Sequence, residues 1–239
     1  MSVIRIGTSG YQYDHWRGIL YPEDVPKRRW FEIYTQSFDT VEINNTFYRL
    51  PGADVFDHWR QQAPKGFLYA LKFSRYGTHR RRLNDPENSV THFVEVATRL
   101  HGMLGPILVQ LPPRWDVNVA RLEAFLTVAP RRYRWAVEVR DPRWLSEAVY
   151  ATLRRHNAAL CIHDHIKDHP RVITATWVYL RYHGGATETG AYSDAQLAHE
   201  AEFIHNCRRA GHDVYAYFNN DQGGHAVHNA LQLKRSVSP

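Results

Sequence analysis

Glu42 and Asn44 stand two residues apart in Thr40 to Asn44, a short run whose β-branched Thr40, Val41 and Ile43 mark it as a buried strand. Alternate residues of a strand face the same way, so Glu42 and Asn44 share a face. A buried carboxylate is costly unless it is paired or faces a wet site. The same conflict recurs down the chain. Lys72 interrupts the apolar run Leu68–Phe73, Gln110 lies in Ile107–Leu111, and Glu138 lies in Trp135–Val139 with Arg140 just beyond it on the same face. Asp164 follows Ala159–Ile162 between His163 and His165, Arg181 and His183 are spaced by two around the end of Val178–Tyr182, and Asn219-Asn220 follow Val214–Phe218. Apolar runs that end in ionisable or amide residues are where (β/α) barrels keep their active sites.

Those residue types allow several chemistries. Glu42 and Glu138, with Lys72 nearby, suit a general acid/base pair tuned apart by burial and charge, and Asp164 is a fourth candidate catalytic group. The bland alternative makes Glu42–Lys72 or Glu138–Arg181 ion pairs that brace the mouth. A catalytic carboxylate in a solvated cleft is not needed for stability, so on the first reading Glu138→Gln is expected to melt close to the parent. His183-Gly184-Gly185 and Gln222-Gly223-Gly224 follow the last two strands, where barrels often hold a phosphate at a helix N-terminus, and Arg181 could add a bidentate contact. Against this, glycines also serve ordinary turns. Arg75, His79, Arg80, Arg81 and Arg82, with Tyr11, Tyr13, Trp16, Tyr48 and Tyr76, could grip a nucleic-acid backbone and stack bases. They could equally be solvated arginines and a packed aromatic lid. A zinc or manganese site drawn from Glu42, Glu138, His163, Asp164, His165 and His183 is a further alternative. Against it, no compact ligand motif is present, and Lys72, Arg140 and Arg181 would crowd a cation. No cofactor is specified.

Strands and helices that alternate along the chain must position these groups. The helical segments are Pro26–Ser37, a short one with Phe56 and Trp59, one opened by Asp85-Pro86, and one through Val119, Leu122, Phe125 and Leu126. Others run through Ala148 and Leu153, from the capping box Ser193-x-x-Gln196 to Gly211, and from Gly223-Gly224 to the end. The stretch Lys167–Pro170 is too short and polar for a full helix, so regularity breaks after the sixth strand. The spacing predicts a single α/β domain over 1–239, a somewhat irregular TIM-like (β/α) barrel with the helix after strand six short or missing. No strand is followed by G-x-G-x-x-G, which counts against a dinucleotide-binding sheet.

Bulk properties agree. The 239 residues suit one large domain, and no segment approaches the ~20 apolar residues of a membrane span. Met1-Ser2 runs directly into a strand without a signal-peptide pattern, and Cys161 and Cys207 lie in no metal or redox spacing, so a cytoplasmic location is expected. A net charge of +6 permits an anionic partner, a small molecule or a nucleic acid; only five of the 30 basic residues are lysine. The oligomeric state is not legible.

Taken together, Gly7-Thr8-Ser9-Gly10, Val41-Glu42-Ile43-Asn44 with Thr46-Phe47-Tyr48, Lys72 with Thr78-His79, and Gln110-Leu111-Pro112 resemble successive landmarks of one family. Val137-Glu138-Val139-Arg140 with Trp144, Tyr179-Leu180-Arg181 with His183-Gly184, and Tyr217-Phe218-Asn219-Asn220 with Asn229-Ala230 complete the set. The chain is similar to domain of unknown function 72, the YecE-like proteins, over nearly its whole length; Tyr11 stands where that family usually has Trp. The resemblance implies a TIM-barrel-like fold in an intracellular protein. It supplies no activity, and only suggests nucleic-acid binding through likeness to barrel endonucleases. The candidate ligand-binding set is Ser9, Gly10, Tyr11, Asn44, Tyr48, His79, Gln110, Arg140, Arg181, His183, Gly184, Asn219 and Asn220. The resulting expectation is a barrel that binds a phosphate-bearing ligand at its carboxyl-end mouth, with an acid/base enzyme acting on a sugar phosphate or phosphodiester as the leading class. A non-catalytic nucleic-acid-binding protein is the alternative.

Overall fold

The computed structural model describes residues 2–184 and 190–238. Its strands are β1 (Ile4–Thr8), β2 (Thr40–Ile43), β3 (Leu68–Lys72), β4 (Leu104–Gln110), β5 (Trp135–Glu138), β6 (Ala159–His163), β7 (Trp177–Tyr182) and β8 (Asp213–Phe218). The helices are α1 (Trp30–Ser37), α2 (Asn45–Tyr48), α3 (Ala53–Gln62), α4 (Pro86–Ala97), α5 (Val119–Val128), α6 (Glu147–Arg155), α7 (Asp194–Arg209) and α8 (His225–Val237). All pairings are parallel, in the order β1-β8-β7-β6-β5-β4-β3-β2. The remaining seam is stitched at the carboxyl end, where Ser9 bridges to Glu42 and the Gly10 amide donates to the Glu42 carbonyl at 2.8 Å. Gly7 permits the approach, since a Cβ there would lie 2.4 Å from the Thr40 carbonyl oxygen. The result is a nearly closed α/β barrel, and no helix follows β6, as the polarity of that stretch predicts.

The alternation of strand side chains divides the core in two. Outward-facing residues pack against the helices in the larger cluster, which includes Ile6, Val41, Ile43, Leu71, Val109, Val137, Ile162 and Leu180. Inward-facing ones form a second cluster in which Trp177, Tyr179, Tyr215 and Tyr217 fill the space left by Ala70, Ala136, Ala159 and Cys161. Large aromatics on β7 and β8 therefore compensate for small residues across the barrel. One step further toward the carboxyl end, the same inward faces carry Glu42, Lys72, Gln110, Glu138, His163 and Arg181, all buried. A period of two thus places the ionisable layer directly above an apolar plug.

Local departures have local causes. Strand β4 begins at Leu104, earlier than its apolar run suggests, because Gly105-Pro106 is absorbed by a register shift against Tyr69 and Leu71 of β3. The segment expected as one helix from Pro26 is a 3₁₀ turn, Lys27–Arg29, leading into α1. The capping box forms, with Ser193 Oγ accepting from the Gln196 amide. No helix among the described residues is long and apolar enough to cross a membrane.

Candidate functional site

The centre of the mouth is a buried ion cluster. Arg181 is 1% exposed and lies between Glu42 and Glu138, both 0% exposed. Its Nη2 and Nε donate to Glu42 Oε1 at 2.8 and 3.2 Å, and its Nη1 donates to Glu138 Oε2 at 2.6 Å. Glu42 also accepts from Ser9 Oγ and from the Tyr179 hydroxyl, each at 2.6 Å. Glu138 Oε1 takes the Gln110 amide at 2.7 Å and the Arg140 Nε–H. Every oxygen of the two carboxylates is therefore occupied by protein donors. Burial pushes the Glu138 carboxyl up, but the Arg181 and Arg140 guanidiniums outweigh it and hold the group well below the usual range. The carboxylates predicted as an acid/base pair thus have the contacts of a salt-bridge brace around Arg181.

Lys72 is different. It is 8% exposed, and the carboxylates that could have paired with it are taken by Arg181 and Arg140. Its Nζ lies 4.3 Å from the centroid of Phe47. Phe47 is placed by α2, a single turn pinned to β3 by the Thr46 hydroxyl donating to the Lys72 carbonyl at 2.7 Å. Burial, reinforced by Arg181, pushes the Lys72 amine down to about 8. His79 packs perpendicular to Phe47 with ring centroids 5.0 Å apart, and is pushed down to about 4 by burial and the nearby cations Lys72, Arg75 and Arg140. Lys72, His79, Gln110, Pro113, Arg140 and His165 line one open cleft of about 360 Å³. Its lining holds two cations, Lys72 and Arg140, beside Gln110, Pro113 and two histidines, and no carboxylate.

The other candidates divide. His183 lies beside the brace, in reach of Arg181 Nη1 at 3.5 Å and of Asn219 Nδ2 at 3.1 Å; burial and Arg181 keep it neutral. His163 is fixed as the Nε2–H tautomer, donating to the Val139 carbonyl at 2.8 Å while Nδ1 accepts the His165 amide at 3.2 Å. Asp164, predicted as catalytic, accepts the His183 amide at 2.8 Å and the Tyr192 hydroxyl, so it ties β6 to the end of β7. Tyr11 is 7% exposed and packs against Phe31 and Tyr34 at 5.2 and 5.6 Å, in the core instead of the mouth. Asn220 braces the barrel end through Asn229 Oδ1 at 3.0 Å and the Gly190 carbonyl at 2.8 Å. Asn44 occupies the N-cap position of the short α2 without a side-chain cap hydrogen bond, and its buried Oδ1 has no hydrogen-bond partner among the described residues. Tyr48 stands 74% exposed at the rim.

The glycine loops have the left-handed geometry of turns. Gly184 is left-handed, and a Cβ there would meet the Gly190 backbone at 2.6 Å; Gly185 lies outside the described residues. Gly224 opens α8 at positive φ, with Ile19 packed where a Cβ would be. Asp221, held by the Trp16 indole at 2.6 Å and His15 at 3.0 Å, stands beside that helix start and disfavours an anion there. The cationic groups gather instead over β3 to β6. Among the described residues, no three His, Cys, Asp or Glu side chains are grouped to hold a metal ion, because the carboxylates face Arg181. Sequence reasoning missed Phe47 and Tyr179 as site residues; Tyr179 shares the face of Arg181 by the same spacing of two that singled out His183.

Comparison with known proteins agrees with this architecture. UPF0759 protein YunF of Bacillus subtilis is 25% identical over 278 aligned positions that cover 97% of this chain and 93% of the relative. UPF0759 protein YecE of Escherichia coli is 31% identical over 117 residues, which is 48% of this chain but only 43% of that protein. A DUF72 family protein from Thermotoga maritima superposes with a TM-score of 0.87 at 26% identity, covering 98% of both chains. One from Enterococcus faecalis, at 20% identity and a TM-score of 0.82, shares the fold over 98% of this chain and 95% of its own. The family model described as "Protein of unknown function DUF72" matches residues 5–239, and the chain belongs to that family.

Proposed function

We propose that the cleft above β3 to β6 binds a phosphate-bearing ligand, with Lys72 and Arg140 as the charged contacts and Gln110, His79 and His165 as neutral ones. The single observation that carries this reading is the lining itself. Two cations and three further polar groups converge on one cleft of about 360 Å³ whose neighbouring carboxylates are already occupied. An incoming anion would meet Lys72 without displacing a protein carboxylate. A sugar phosphate or phosphodiester fits that volume, and proton transfer at its reacting atoms would fall to Lys72 and His79, since Glu42 and Glu138 are fully committed. Isothermal titration with inorganic phosphate and with glucose 6-phosphate tests the reading. A charge-assisted hydrogen bond contributes roughly 1.5–3 kcal/mol, so Lys72→Met and Arg140→Gln should each weaken binding about tenfold or more. Absence of binding by the parent, or unchanged affinity in both variants, would overturn it.

A second reading has its own support. Tyr48 and Tyr76 are 74% and 54% exposed at the rim. Beside them Arg75, Arg80, Arg81 and Arg82 are exposed on the loop after β3. Exposed aromatics among arginines suit a single-stranded nucleic acid whose phosphates occupy the same cleft.

A further inference from the structure

Resting on the phosphate-binding reading, we propose that Lys72 is a nucleophile that forms an imine with the carbonyl carbon of a phosphorylated aldehyde or ketone. A Schiff-base lysine needs an amine that is desolvated, unpaired with a carboxylate and held on a rigid element beside an anion site. Lys72 meets each requirement. It ends β3 instead of riding on a loop, it is 8% exposed, and Phe47 supports its Nζ from one side at 4.3 Å. No carboxylate among the described residues pairs with it, because Arg181 holds Glu42 and Glu138 together. Gln110, at the end of β4, and Arg140, two residues past the end of β5, line the same cleft and would hold the phosphate end of such a substrate. Burial lowers the amine to about 8, so a useful fraction is neutral at physiological pH.

His79 supplies the proton transfers. The Thr78 hydroxyl gives its one proton to the Ser74 carbonyl at 3.0 Å, so at 2.9 Å from His79 Nδ1 it accepts, and Nδ1 carries the ring proton. Nε2 is then the basic nitrogen. The neutral Lys72 amine attacks the carbonyl carbon; the new C–N bond forms as the C=O π pair moves to oxygen. His79 Nε2 takes one proton from the nitrogen and returns it to that oxygen, giving a carbinolamine. The nitrogen lone pair then expels the hydroxyl, which leaves as water with one proton drawn from solvent through the open cleft. The product is a protonated imine and one water, and hydrolysis reverses each step.

Reductive trapping tests this directly. The protein is incubated with dihydroxyacetone phosphate or glyceraldehyde 3-phosphate and sodium cyanoborohydride at pH 7, and labelled lysines are mapped by mass spectrometry. The sequence offers Lys27, Lys65, Lys167 and Lys234 as internal controls. Lys72 should carry roughly tenfold more label than any of them, because far more of its amine is neutral. Inorganic phosphate should suppress that label selectively. Lys72→Arg, which keeps the charge, should lose the label and still bind phosphate by titration; the mapping on the parent stands without it if the variant folds poorly. Phosphate binding with label spread evenly over all lysines would overturn the imine and leave the anion site intact. No binding of phosphate or either sugar phosphate would remove the anion site, and the imine with it.

Discussion

Replacing Glu138 by Gln removes one charge from a fully buried cluster, and the cost can be worked from the contacts. One Glu138 oxygen accepts from Gln110 and Arg140, the other from Arg181 and, at 3.8 Å, from the Cys161 thiol. A glutamine has one acceptor oxygen and one donor nitrogen, so one of its ends must point N–H groups at a guanidinium, which cannot turn into an acceptor. Glu42 differs, because its Oε2 meets only the Tyr179 hydroxyl, which can rotate to accept from an amide while Oε1 keeps Arg181 and Ser9. Breaking a buried pair costs about 3–5 kcal/mol. At roughly 2–4 °C per kcal/mol for a chain of this size, Glu138→Gln should melt roughly 6–20 °C below the parent. Glu42→Gln should lose distinctly less. Differential scanning calorimetry of the three proteins side by side at pH 7 measures it. A Glu138→Gln protein within a few degrees of the parent, as a solvated catalytic carboxylate would give, or one no worse than Glu42→Gln, would refute the brace.

The same layer predicts a pH dependence. Lys72 falls from 10.5 to about 8 on folding, so between those values the unfolded chain binds more protons and stability rises with pH, while below about 8 the full burial penalty is present. Lys72→Met should therefore be more stable than the parent at pH 7, and in urea titrations its advantage should shrink as pH rises through 8 to 10; a pH-independent difference would contradict the buried cation. For the nucleic-acid reading, log affinity for a single-stranded oligonucleotide against log salt should change by about −0.7 per phosphate contact, so replacing Arg80, Arg81 and Arg82 by Ala should flatten the slope by up to about 2. A parent that shows no salt-dependent binding would end that reading.

Much of the architecture was legible because its signals are local. Strand runs such as Trp135–Val139, the Ser193-x-x-Gln196 box and the polar stretch after His163 each declare themselves within a few residues. The period of two also told which residues share the barrel interior, so Glu42, Lys72, Gln110, Glu138 and Arg181 could be drawn to one end of the barrel from sequence alone. What each one does there was not legible. Whether a buried carboxylate is a base or a brace depends on which cation reaches it across the barrel. Arg181 crosses from β7 to Glu42 on β2 and Glu138 on β5, a choice set by strand order and side-chain length, not by anything near Glu42 in the chain. Tyr11 has the composition of a mouth aromatic but turns into the gap beside Phe31 and Tyr34. Lys72 stands apart from its neighbours because the tertiary structure gave its two possible partners to an arginine, and left the amine facing an open cleft.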